Sequence, residues 1–225
     1  MSIGEVTAAA HRAQLDVFGA FHPTPEDRAP QGRRTLVLLG PREPGFWAAF
    51  TDSPEYQDGS AHPLDRWSTR VITALAEELD AEPLFPFGGP PYQPFISWAM
   101  RSGRAWQSPA GPLVHDTAGM MVSYRGALAM RAKISLPARP GKPCVTCATQ
   151  PCLNACPVDA LSAQTGYDLA ACHGFLDTAA GADCMSRGCA ARRACPVSQN
   201  HARQEAQSAF HMRSFHSMPA KSKPR

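Results

Sequence analysis

Residues 144–157 read CVTCATQPCLNACP: four cysteines within thirteen positions, the last followed directly by proline. No cysteine precedes Cys144, and four more follow at Cys172, Cys184, Cys189 and Cys195. The second group closes as the first does, on a Cys-Pro pair, Cys195-Pro196. Eight thiols make two sets of four, and whatever binds four thiols at such density determines how the C-terminal part of the chain folds.

Three chemistries compete for these thiols. Structural zinc takes four tetrahedral ligands, usually from two CxxC knuckles separated by a longer loop. Only Cys144 and Cys147 have that spacing, and zinc knuckles do not call for Cys-Pro endings. Disulfides belong to oxidising compartments. The opening MSIGEVTAAAHRAQLDVFGAF lacks a basic segment followed by an apolar one, so a cytoplasmic, reducing location is expected. No apolar run approaches the roughly 18–20 residues that span a bilayer, so no membrane association is expected. Iron–sulfur ligation fits best. A tight loop presents three thiolates around one face of a cubane, and the fourth arrives from a distant Cys-Pro. In two-cluster ferredoxins that fourth cysteine serves the other cluster. On this pattern Cys144, Cys147, Cys152 and Cys195 hold cluster one, and Cys156, Cys172, Cys184 and Cys189 hold cluster two. All eight thiols are consumed. Two extra residues between Cys147 and Cys152 depart from the tightest ferredoxin spacing and leave a 3Fe–4S site open at one position; two 4Fe–4S clusters are the expected cofactors.

The charge distribution agrees with this. Residues 139–225 carry ten Lys/Arg against five Asp/Glu, and residues 1–138 carry twelve against fourteen. A basic half is one mark of a nucleic-acid binder. Here two oxidised clusters, each about −2 with four thiolates, offset the same excess, so nucleic acid is not an expected partner.

Upstream of the cysteines the elements are mixed. A helix is expected over 3–14, strands over 15–21 and 35–40, and a helix over 63–80 with Leu64, Trp67, Val71, Ala74 and Leu75 on its apolar stripe. A strand follows at 82–88 and a helix at 94–106. The stretch GMMVSYRGALAMRAKISLP (119–137) reads as two strands around a turn at Tyr124-Arg125-Gly126. ARPGKP (138–143) punctuates the chain before Cys144. The expected organisation is an α+β layered domain over 1–138, a dicluster module over 139–210 that depends on metal for its fold, and a basic flexible tail over 211–225.

A mixed domain, a segment ending in ISLP (134–137), and eight cysteines grouped 4 + 1 + 2 + 1 together resemble the cobalamin-dependent epoxyqueuosine reductase family. The segment YRGALAMRAKISLP (124–137) is also similar to the cobalamin-processing decyanase/dealkylase proteins. The resemblance implies a nitroreductase-like, corrinoid-binding N-terminal domain and a ferredoxin-type module that delivers electrons to cobalt. It implies cobalamin as a further cofactor; the electron-carrier reading of the clusters expects a separate redox partner protein. The loop GGPPYQPF (88–95) has no carboxylate where that family carries its proposed proton donor, and the family's C-terminal helical repeats do not follow Cys195. The queuosine reaction itself is therefore not expected; what carries over is a cofactor-type domain joined to an electron-transfer module. Tyr124 and Arg131 are candidate contacts to a corrinoid or flavin, though core packing and surface charge account for them equally. His115-Asp116 reads as a solvated loop pair rather than an acid–base pair. His173, beside Cys172, is a candidate hydrogen-bond donor to a cluster sulfur.

Overall fold

The computed structural model describes residues 1–217. The chain divides into two compact units. The first comprises Met1–Trp106 and Val122–Pro140, the second Gln107–Met121 and Gly141 onward.

The first unit is a four-stranded antiparallel sheet dressed with helices. Helix α1 (Ile3–Arg12) starts at a capping box. Ser2 Oγ accepts from the Glu5 N–H at 3.3 Å, and the Glu5 carboxylate accepts from the Ser2 N–H at 2.5 Å. Strand β1 (Leu15–Phe21) is bulged between Val17 and Gly19, and β2 (Thr35–Pro41) is buried at every position. Helices α2 (Phe46–Thr51) and α3 (Pro54–Gln57) lead to α4 (Pro63–Glu78), which begins with proline in its first turn, where the missing N–H costs nothing. Strand β3 (Ala81–Leu84), helix α5 (Phe95–Ser102) and strand β4 (Gly126–Met130) complete the unit. The strand order is β1-β2-β4-β3, with Thr35 opposite Met130 on one side of β4 and Ala81 opposite Met130 on the other. The run Leu36–Leu39 is fully buried between two strands. At about 1.5–3 kcal/mol per buried aliphatic side chain, this strand alone is a major part of the driving force.

This α+β architecture agrees with the expected class, and several local expectations are corrected. The buried stripe of α4 is Leu64, Trp67, Ser68, Ile72, Leu75 and Ala76; Val71 is half-buried and Ala74 exposed. Strand β3 stops at Leu84, short of the expected 82–88. Helix α5 stops at Gly103, which takes the left-handed cap at φ 73°, and Ala105–Gln107 is a strand rather than more helix. Over 119–137 there is no hairpin. Only Gly126–Met130 is a strand, and both its edges are taken by β2 and β3. Just before it, Arg125 is drawn inward, donating to Ser68 Oγ at 3.1 Å and to Asp65 at 2.7 Å.

The second unit has short elements. Strands Leu161–Ser162 and Gly166–Tyr167 pair as a hairpin. Helices α6 (Leu169–Leu176), α7 (Ala182–Arg187), α8 (Ala190–Ala194), α9 (Pro196–Gln199) and α10 (Glu205–Ser217) follow. Helix α6 is capped by Asp168, which accepts from the Ala171 N–H at 2.9 Å. Helix α10 packs on α7, and residues 211–217, expected to begin a flexible tail, form its second half; the remainder of that expected tail lies outside the described residues. Gln107–Met121, expected within the first domain, belongs to the second unit. The Met120 N–H donates to Ser198 Oγ at 2.8 Å, and Gly119 lies so close to Ser198 that an added Cβ would sit 2.4 Å from its backbone nitrogen. Glycine is required there twice over, because its φ is +54°. Among the described residues no helix is long and apolar enough to cross a membrane.

Candidate metal centres

The eight cysteines separate into two quartets, each around its own cavity. Cys144, Cys147, Cys152 and Cys195 line a cavity of about 360 Å³, together with Val114, Met120 and Val197. Cys156, Cys172, Cys184 and Cys189 line a second, of about 520 Å³, together with Tyr167, Arg192 and Phe215. The membership is crossed. Cys156 follows Cys152 by four residues yet faces the second cavity, and Cys195 follows Cys189 by six yet faces the first.

Local structure produces the crossing. Cys144 and Cys152 sit in single 3₁₀ turns opened by Pro143 and Pro151. Such turns swing successive thiols inward over few residues. Cys172 lies on α6 and Cys184 on α7. Cys189 caps the start of α8, whose five residues advance the chain about 7.5 Å at the usual helical rise before Cys195. Cys195 caps the start of α9, and Pro196 occupies its first turn, turning the backbone away from the cavity.

Several thiols of each quartet are shifted by their surroundings. Burial pushes the thiols of Cys152 and Cys184 up, and neighbouring thiolates push them further. The same causes raise Cys144 and Cys172; Lys142 partly opposes the rise at Cys144, and the Tyr167 hydrogen bond partly opposes it at Cys172. None of the eight is in a disulfide. Among the described residues no three His, Cys, Asp or Glu side chains converge tightly enough for a single ion. A lone zinc, with sulfurs about 2.3 Å away, fills the space between its ligands. Each quartet here surrounds a cavity instead.

The sulfurs of the second quartet receive hydrogen bonds. The Tyr167 hydroxyl donates to Cys172 Sγ at 3.1 Å, the Ala160 N–H donates to Cys156 Sγ at 3.3 Å, and the Ala190 N–H reaches Cys184. His173 is not the donor expected from its place in the sequence. Its Nδ1 lies 2.9 Å from His216 Nδ1, and its ring stacks on Phe215 at 4.6 Å between centroids. Tyr167 stacks on Phe215 as well, at an interplanar angle of 7°. Nothing in the sequence singles out Tyr167: it stands five residues before Cys172, and only the hairpin followed by the capped start of α6 brings its hydroxyl back onto that sulfur.

His115 is fully buried, not solvated as expected. The Thr117 and Ala118 N–H groups both donate to its Nδ1 at 3.2 Å. That nitrogen is therefore an acceptor, and its 3.1 Å approach to Asp116 is not an ion pair of a protonated ring. In the first unit, Tyr124 packs edge-on to Phe18 with centroids 6.2 Å apart, and Arg131 is exposed. Neither lines the cavity of about 620 Å³ found in that unit, which is bordered by His11, Asp16, His22, Arg101, Arg104 and Arg139.

Comparison with protein-family models, with curated proteins and with solved structures found no match for this chain.

Proposed function

We propose that this chain is an iron–sulfur electron-transfer protein that holds two 4Fe–4S clusters in its second unit and exchanges electrons with a separate redox partner protein. One observation carries the reading: two crossed quartets of cysteines, each around its own cavity. Crossed ligation is the arrangement of two-cluster ferredoxins, and it brings the two centres close along the chain. When bound, such clusters supply one-electron chemistry. The protein's part is to present four thiolates to each, to exclude competing ligands, and to donate hydrogen bonds to the sulfurs. Cys144, Cys147, Cys152 and Cys195 would hold one cluster; Cys156, Cys172, Cys184 and Cys189 would hold the other.

The corrinoid-dependent alternative implied by the family resemblance rests on Tyr124 and Arg131 in the first unit. One packs among Phe18 and Phe95 and the other is exposed. Titration with cob(II)alamin, followed optically, tests that alternative separately. The main reading is tested on the full chain purified without oxygen. We expect about eight irons and eight acid-labile sulfides per chain, with broad visible absorption that bleaches on reduction. A colourless preparation with zinc and no labile sulfide would overturn it.

A further inference from the structure

The two quartets sit in different surroundings. The cavity of the first is lined by neutral side chains, among them Val114, Met120, Thr146 and Val197, with Lys142 acting on Cys144 and one backbone N–H at Cys152. The cavity of the second is lined by Arg192 and Tyr167, and its sulfurs accept from one hydroxyl and two backbone N–H groups. Adding an electron adds negative charge to a centre. Hydrogen-bond donors and cations around the sulfurs favour that charge and raise the potential.

We infer that the two centres have different potentials, and that Tyr167 is the positioning residue that holds the Cys156/Cys172/Cys184/Cys189 centre above the other. The inference rests on the two-cluster reading and extends it. Tyr167 suits this role for two reasons. Its O–H to Sγ distance of 3.1 Å is within range for a sulfur acceptor, and a metal-bound thiolate accepts more strongly than the thiol. Its ring is fixed against Phe215, so the hydroxyl is aimed rather than free to swing. Arg192 lines the same cavity and places a cation at its edge.

The test is a redox titration of the anaerobic full chain, with the reduced clusters followed by low-temperature electron paramagnetic resonance and the iron counted in every sample. The wild-type protein should show two resolved midpoints. Tyr167→Phe should lower the upper midpoint and leave the lower one in place, with iron unchanged. Loss of one charge-assisted hydrogen bond corresponds to about a tenfold fall in the reduced-to-oxidised ratio, or ~59 mV for a one-electron couple. If Phe disturbs cluster assembly, 3-fluorotyrosine at position 167 keeps the ring and strengthens the donor, and it should raise the same midpoint. Full iron with both midpoints unmoved by either replacement would overturn the role of Tyr167. A movement of the lower midpoint would overturn the ordering. Wild-type protein with far fewer than eight irons would instead refute the two-cluster reading itself.

Discussion

The two units are held together by different means. Of the twelve largest fully buried side chains among the described residues, only Met120 belongs to the second unit. The first unit buries Trp98, Phe18, Phe21, Phe46, Phe50 and the whole of Leu36–Leu39. Instead of such a core, the second has two thiol-lined cavities, helices of four to thirteen residues and a two-residue hairpin. An α-helix of five residues has no stability of its own in water. The first unit is stabilised by apolar burial; on the two-cluster proposal the second is cross-linked through what occupies its cavities.

The largest effect follows from removing the metal. Stripping iron from the full chain with an oxidant and chelator should leave amides of residues 36–39 protected from hydrogen exchange and abolish protection across α6 to α9. Unchanged protection in α6 to α9 would mean that the short helices pack without metal and that the comparison is mistaken. The converse perturbation should spare the cysteines. Trp98 is fully buried, and its indole N–H donates to the Asp27 carbonyl at 2.8 Å. Trp98→Ala should cost about 3–5 kcal/mol in denaturant unfolding of the first unit while iron content stays the same. A smaller effect is expected where Gln107–Met121 is secured to α9. Ser198→Ala leaves the buried Met120 N–H without its acceptor and should cost about 1–3 kcal/mol. It should be read out as faster iron loss from the centre nearest Cys195, with the other centre unaffected.

How much of this could be read from the sequence varies with the range of the interactions. TLVLLG was legible as a buried strand because a short continuous apolar run has few other fates. The cysteines group around the two cavities as the sequence reading expected, with the two Cys-Pro pairs at the crossing points; their ligation of metal belongs to the proposal. The stretch 119–137 was not legible. Gly126–Met130 is a central strand whose neighbours come from residues 35–39 and 81–84, and apolar alternation cannot distinguish that from a local hairpin. The place of Gln107–Met121 was hidden for a similar reason, since the bond that secures it spans 78 residues. His173 was singled out by adjacency to Cys172, but on α6 its ring turns to His216 and Phe215. Tyr167 reaches the same sulfur from the preceding hairpin, a geometry that spacing alone does not reveal.

The crossed partition is the centre of the account, and one pair of variants tests it most directly. Cys189→Ala and Cys195→Ala each remove a single thiol, six residues apart on either side of α8. Measured by redox-poised electron paramagnetic resonance with iron counted, Cys189→Ala should remove the upper-potential signal and Cys195→Ala the lower. Loss of the same signal in both variants would show that the two cysteines share one centre, and would contradict the partition on which the account stands.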